Sequence, residues 1–240
     1  WTSFVTPTDE MVLRPALLED AAAVADVHLA ARRSAAMPPG VHTDDEVRSW
    51  LAARVAEDPV WVAEHEGRVV GYARFPGAWL DDLYVHPDQA RQGIGSALLD
   101  LVKAQRPDGF CLWVFEMNDP ARRFYRGHGL VELERTDGDA NEERAPDIRM
   151  AWPGAQPLAF FRSLIDGLDI ELGDLLARRA ALTAAVQQVK RALGTEPARD
   201  PGREREIARR LAERAPALGE ERLARIVHAV ISESLDAAPP

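Results

Sequence analysis

Cysteine is nearly missing from this chain: Cys111 is the single one among 240 residues. One thiol excludes an intramolecular disulfide framework and fits a reducing compartment, so a cytoplasmic protein is expected. No apolar run approaches the roughly 20 residues of a helical membrane span, and no signal-peptide pattern opens the chain. Positive charge is short as well, with 29 Lys and Arg against 39 Asp and Glu and a net charge of −10. That balance argues against a general nucleic-acid binder, which needs a basic face, while leaving room for a local cluster around a small anion. The six histidines are scattered without ligand spacing, so no metal site is expected. Internal repeats and low-complexity tracts are absent too. What remains is an ordinary globular composition, 46% hydrophobic and 28% charged, long enough for two domains.

The first 152 residues read as strands with interleaved helices. Residues 1–10 are expected to be an extension of little structural weight, since Met11 opens the first patterned segment. Met11 to Pro15 alternates as a short strand, and Leu18 to Arg33 and Asp44 to Val55 read as helices. Pro59 to Phe75 forms a hairpin about Glu66-Gly67. Leu83-Tyr84-Val85 is a strand stopping at His86-Pro87, a helix runs from Gly93 to Lys103, and Phe110 to Phe115 is apolar and extended. Asn118-Asp119-Pro120 opens a further helix with a cap residue and an early proline. Leu130 to Arg135 and Ile148 to Trp152 complete the strands. This order predicts an α/β sheet domain over 11–152, followed by a linker at 153–157.

Arg91-Gln92-Gly93-Ile94-Gly95-Ser96 lies between a strand and a helix. Two glycines let the backbone approach a ligand, and the helix N-terminus presents free N–H groups, which makes a cradle for a diphosphate. The segment Leu112-x-Val114-x-x-x-Asn118-x-x-Ala121-x-x-Phe124-Tyr125-x-x-x-Gly129-Leu130 follows it. Together with Leu83-Tyr84-Val85-x-Pro87, these motifs closely resemble the GNAT superfamily of acyl-CoA-dependent N-acetyltransferases, over about residues 11 to 152. The resemblance implies a mixed central sheet with flanking helices, acetyl-CoA as co-substrate and a small amine as acceptor. Main-chain amides of Arg91, Gln92, Gly93, Ile94, Gly95 and Ser96 would hold the CoA diphosphate. Leu83 to Val85 would pair with the pantetheine arm, Asn118 would contact the cofactor, and Tyr125 would protonate the departing thiolate. Ala90 stands where the family often has Gln or Arg.

Such chemistry needs a base for the incoming ammonium. Asp81, Asp82 and Glu116 are the candidates, and strand alternation sends Asp81 and Asp82 to opposite faces, so at most one points inward. The plainer reading of each is a solvated carboxylate, and it outweighs the catalytic one. The polar stretch Thr136 to Arg144 reads as a solvated loop whose carboxylates could favour a cationic acceptor. Cys111 is expected to be a buried thiol.

Beyond the linker no strand signals remain. Phe161, Ile165, Leu168, Leu172, Leu175, Arg179, Leu182, Val186, Val189 and Leu193 recur at alternating steps of four and three, one stripe along a helix roughly 50 Å long. About 45 residues follow, too few to cover both ends of such a rod, so a dimer is expected. Arg179 interrupts the stripe, and a guanidinium there needs an anionic partner. Lys190, 11 residues on, shares its face roughly 16 Å away. Arg162, 17 residues before Arg179, is roughly 25 Å off and could act only in a partner subunit's site. Helices from Pro201 to Arg214, capped by Asp200, and from Glu220 to Leu235 complete an all-helical second domain over 158–240.

Arg162-x-x-Ile165-Asp166-x-Leu168-Asp169-x-x-Leu172-x-x-Leu175-Leu176-Ala177-x-Arg179, then Lys190, Arg199-Asp200-x-x-Arg203-Glu204 and Ser234, resembles the AroQ-type chorismate mutases. The resemblance implies an intertwined homodimer of three-helix subunits without cofactor or metal. In it Arg179 and the other subunit's Arg162 bind the substrate carboxylates and Lys190 faces a carboxylate and the ether oxygen. Asp200 and Glu204 sit about the ring hydroxyl, with Arg203 and Ser234 completing the pocket. The reaction is a unimolecular rearrangement of chorismate to prephenate, so a site need only hold the compact conformer and stabilise charge growing on the ether oxygen. Family members carry Gln or Glu four residues beyond the matching Ser, and Ala238 stands there, which predicts weak activity on chorismate or a related substrate. The reading is therefore a bifunctional fusion. Its rivals are a C-terminal domain acting on 4-amino-4-deoxychorismate or isochorismate, or a non-catalytic dimerisation or chorismate-sensing module.

Overall fold

The computed structural model describes residues 11–194 and 200–237, and the chain divides after Phe161 into two compact units. The N-terminal extension, Arg199 and Ala238 lie outside the described residues.

The first unit holds β1 (Val12–Pro15), α1 (Ala21–Ser34), α2 (Asp44–Glu57), β2 (Val60–His65), β3 (Arg68–Arg74) and β4 (Asp82–Val85). It continues with α3 (Ile94–Gln105), β5 (Phe110–Phe115), α4 (Asp119–Gly127), β6 (Val131–Arg135) and β7 (Asp147–Trp152). The strands form two antiparallel sheets, β1-β2-β3-β4 and β5-β7-β6. The β2–β3 hairpin turns through Glu66 at φ 51° and Gly67 at φ 73°, the paired left-handed residues a two-residue hairpin demands.

Period-two alternation sorts β2 onto two cores. Val60 and Val62 join Tyr72, Val24, Val27 and Leu51 beneath α1 and α2. Ala63 joins Ala73, Leu98, Leu99 and Val102 beneath α3. Gly71 makes the second packing possible, because a Cβ there would lie 3.1 Å from Ile94 and 3.2 Å from Leu98 on α3. Leu98 and Leu99 have no exposed surface, so truncating either to Ala should cost roughly 2–5 kcal/mol.

The two sheets meet where the segment before β4 reaches β5. There Leu80 N–H donates to Cys111 C=O at 2.8 Å and Cys111 N–H donates to Ala78 C=O at 3.0 Å. Past this junction β4 pairs with β3 alone, and β5 pairs with β7. Among the described residues the facing edges of β4 and β5 have no further strand beside them.

The second unit is helical: α5 (Pro157–Ala192), which begins in the first unit, then α6 (Pro201–Arg214) and α7 (Gly219–Asp236). Proline at the first position opens α5, and Gly194 at φ 65° follows its end, the pre-set start and left-handed stop that suit a long helix. Asp200 caps α6 by accepting from Arg203 N–H at 2.9 Å. Ala208 of α6 and Leu223 and Val227 of α7 are buried. No residue of α5 is buried, and Leu168, Leu172, Leu175, Leu182, Val186 and Val189 all stand more than half exposed. Among the described residues no helix is long and apolar enough to cross a membrane.

Candidate functional sites

A cleft of about 1310 Å³ opens between the parted edges of β4 and β5. Leu83 and Tyr84 line one wall, and Val114, Asn118, Ala121 and Tyr125 the other. Asn118 Oδ1 accepts from Ala121 N–H at 3.2 Å, so it caps α4 while lining the cleft. Tyr125 is buried, and its hydroxyl is pushed above the ordinary tyrosine range by burial first, then by Tyr84 and Asp82. It therefore stays protonated at neutral pH.

The floor departs from the expectation of opposed faces. Asp82 leads β4 directly across from Arg74 of β3, and Asp81, just outside the strand, turns to the same guanidinium. Arg74 Nε donates to Asp82 at 2.6 Å, and Arg74 Nη1 lies 2.9 Å from Asp58 and 3.0 Å from Asp81. Strand alternation fails for Asp81 because it precedes the first regular residue, and a buried guanidinium recruits every carboxylate in reach. Both aspartates line the cleft, and both are pushed up by burial against the opposing pull of Arg74. Glu116 lies outside the cleft lining and pairs with Arg135. In the 136–144 stretch Asp137, Asp139, Glu142 and Arg144 are exposed, as expected of a solvated loop, while Glu143 pairs with Arg32 of α1 at 2.8 Å and Asn141 bonds Ala145 and Asp147.

The glycine turn has the required backbone. Arg91 has φ 64° and Gly93, at the head of α3, φ 83°. The first-turn amides of α3 have no intrahelical acceptor by construction. Ser96 Oγ is 3.0 Å from His128 Nε2, whose Nδ1 is 2.8 Å from Phe124 C=O. With Nδ1 donating to that carbonyl, Nε2 accepts from the serine, which ties α4 to the first turn of α3. Nothing in the local sequence signals this bond across 32 residues. Nor does it signal His28, buried on α1 with Nδ1 2.7 Å from the Tyr72 hydroxyl and facing the cleft.

In the second unit Arg179 reaches α7, donating to Ser234 Oγ at 2.8 Å and to Val230 C=O at 3.2 Å. Buried Ser234 in turn donates to Val230 C=O at 2.6 Å, which answers the need of a hydroxyl on the inner side. Glu204 of α6 stands 3.5 Å from His228 of α7. Lys190 and Arg162 share α5 with Arg179, Arg162 standing exposed near its start. Arg203 is exposed.

These two constellations define a CoA-type acetyltransferase unit and a chorismate mutase-type helical unit. Residues 56–132 match the acetyltransferase (GNAT) domain model, and residues 161–238 match the model of chorismate mutase type II. The peptidyl-lysine N-acetyltransferase YiaC of Escherichia coli is 33% identical over 107 residues, 44% of this chain and 71% of the relative. The peptidyl-lysine N-acetyltransferase YjaB of the same organism is 31% identical over 113 residues, 47% of this chain and 74% of that protein. Among solved structures, apo YjaB from E. coli superposes with a TM-score of 0.51 at 22% identity, covering 61% of this chain and 99% of that one. A GCN5-related N-acetyltransferase from Rhodopseudomonas palustris gives 0.50 at 26% identity, over 63% and 99%. The chain belongs to the GNAT acetyltransferase family and carries a chorismate mutase type II domain fused behind it.

Proposed function

We propose that residues 11–152 transfer an acetyl group from acetyl-CoA to a cationic primary amine, a peptide lysine being the acceptor class. Residues 158–240, joined through 153–157, would rearrange chorismate to prephenate as a homodimer. The observation that carries the first half is the unpaired edge of β4, set across from Tyr125 and Asn118 and followed by the glycine turn. Leu83 and Val85 offer the pantetheine amides a strand edge, and the amides from Arg91 to Ser96 offer the diphosphate N–H donors. A cationic acceptor is favoured by the lining, in which seven carboxylates stand against two guanidinium groups. The names of the two bacterial relatives point to lysine.

In this reading Asp81, the more accessible floor carboxylate, takes one proton from the acceptor ammonium. The freed amine attacks the thioester carbonyl, a C–N bond forms, and the C–S bond breaks as the tetrahedral intermediate collapses. Tyr125 gives its proton to the CoA thiolate and recovers one from solvent, while the new amide nitrogen releases its second proton to solvent.

The mutase half needs positioned cations alone. Arg179, pre-set by Ser234, and Arg162 of the partner subunit would hold the two carboxylates. Lys190 would face the ether oxygen, with Asp200, Arg203 and Glu204 about the ring hydroxyl. The exposed stripe of α5 supports dimerisation.

The test is purified protein given acetyl-CoA with a lysine peptide, and separately chorismate. Thiol release matched by acetylated peptide, and conversion of chorismate to prephenate, are expected. Acetyl-CoA binding without acetylation of any amine would overturn the first half. Chorismate left intact at enzyme concentrations near its own would overturn the second.

A further inference from the structure

We propose that His28 is a specificity-determining residue of the acetyl-transfer cleft, offering its Nε2–H to an uncharged oxygen of the acceptor, with a peptide carbonyl the chemistry that fits. The inference rests on the acetyl-transfer reading and adds to it the residue that recognises the atoms flanking the amine.

The argument begins at Tyr72. Its side chain has no exposed surface, and its hydroxyl is pushed well above the ordinary range, chiefly by burial, so it keeps its proton. A buried O–H without an acceptor costs about 1–3 kcal/mol. Among the described residues the acceptor that meets it is His28 Nδ1, at 2.7 Å. The hydroxyl therefore donates, Nδ1 accepts, and the imidazole proton must sit on Nε2. Were Nδ1 the donor, the tyrosine proton would have nowhere to go.

The ring also stays neutral. Burial pushes the His28 pKa down to about 4, and Arg32 on its own helix and Arg74 on β3 push the same way. From β4 it meets Tyr84, whose ring centroid lies 4.6 Å from its own. At neutral pH His28 is thus a fixed N–H donor and a poor base. It lines the cleft on the side of α1 and α2, opposite the face of β4 that packs on α3, and so on the acceptor side rather than beside the glycine turn.

What accepts that N–H follows from the surroundings. An anionic group is disfavoured because the cations nearest His28 already hold carboxylates, Arg32 pairing with Glu143 and Arg74 with Asp58, Asp81 and Asp82. An ammonium cannot accept at all. A neutral carbonyl oxygen can, and a lysine within a peptide carries carbonyls on either side.

The experiment is NMR of the full chain labelled with 15N at histidine, the His28 signals being assigned with His28→Gln. Between about pH 5 and pH 8 the Nε2–H tautomer is expected throughout. Two probes are then titrated in the presence of CoA: Nα-acetyl-lysine methylamide, which has two carbonyls, and 1-aminobutane, which has none. The Nε2 resonance should move with the first and stay with the second. In turnover, His28→Phe should raise KM for the lysine probe about 10-fold with kcat nearly unchanged, the loss of one hydrogen bond. His28→Gln, which keeps an N–H, should recover most of it, and the rise in KM should be several-fold smaller for aminobutane than for the lysine probe. A Nδ1–H tautomer, protonation at an ordinary histidine pKa, or equal shifts with both probes would overturn the proposal without needing any variant to fold. Acetylation of the lysine probe with a silent His28 would sink this inference alone. Bound acetyl-CoA with no amine acetylated would sink the acceptor reading and His28's role with it.

Discussion

The two units gather their charged groups in opposite ways. In the first, Arg74, Asp81, Asp82, Tyr84, Tyr125 and His28 come from four separate elements and are gathered by a core that one chain completes. In the second, three of the cations lie on α5, which has no buried residue, and its apolar stripe stands open. A sheet core can close on itself, whereas a rod roughly 54 Å long has more surface than two shorter helices can cover. The first unit therefore completes its core within one chain, while the second leaves the α5 stripe exposed.

The sharpest way to break this contrast is to ask whether the second site is shared. Residues 158–240 should form a helical dimer, and a monodisperse folded monomer in sedimentation would refute it. Arg179→Ala removes a positioned charge, which should cost roughly 2–5 kcal/mol, a drop of about a thousand-fold in mutase kcat/KM. Mixing it with Arg162→Ala chains after subunit exchange should restore about a quarter of wild-type activity, because half the dimers are mixed and each holds one intact site. Activity stuck at the level of the separate mutants would return the site to a single chain.

The first unit should instead respond to pH through a buried group of its own. Folded His28 has its pKa lowered from 6.5 to about 4. Below the unfolded value the unfolded chain binds a proton that the folded chain refuses. Stability from the neutral imidazole is thus full above pH 6.5 and lost as pH falls toward 4, about 3 kcal/mol in all. Urea unfolding should show the gap between wild type and His28→Asn narrowing by about that amount between pH 7 and pH 4. A constant gap would mean that the imidazole titrates normally.

Smaller effects separate chemistry from binding within the cleft. Tyr125→Phe should lower acetyl-transfer kcat about 100-fold as a lost general acid, with little change in acetyl-CoA affinity by calorimetry. Equal losses in both would make Tyr125 a binding residue. Gly93→Val should weaken acetyl-CoA binding about 30-fold, because a β-branched residue at φ 83° strains the turn by roughly 1–3 kcal/mol and shifts its amides. Gly95 differs: a Cβ there would meet Phe124 at an ordinary 3.6 Å, so Gly95→Ala should fold normally, and any loss of affinity would come from contact with the ligand.

Much of this protein is legible from local pattern. Alternation located β1, the Glu66-Gly67 turn between apolar runs located the β2–β3 hairpin, and the four-and-three stripe located α5, because each depends on neighbours a few residues apart. The glycine turn was legible for the same reason, a left-handed Gly93 at the mouth of an apolar helix. Asp81 and Asp82 were misplaced on opposite faces, since what gathers them is Arg74, seven and eight residues away across a strand pair. His28 carried no signal at all, because its meaning comes from Tyr72, 44 residues distant. The sequence by itself determined the order of elements, the two kinds of unit and the residue types their chemistry requires. Only the tertiary structure decided which carboxylates share a guanidinium and which buried hydroxyl His28 meets. Those outcomes follow from burial, which forces every charge and every hydroxyl to find a partner wherever in the chain it lies.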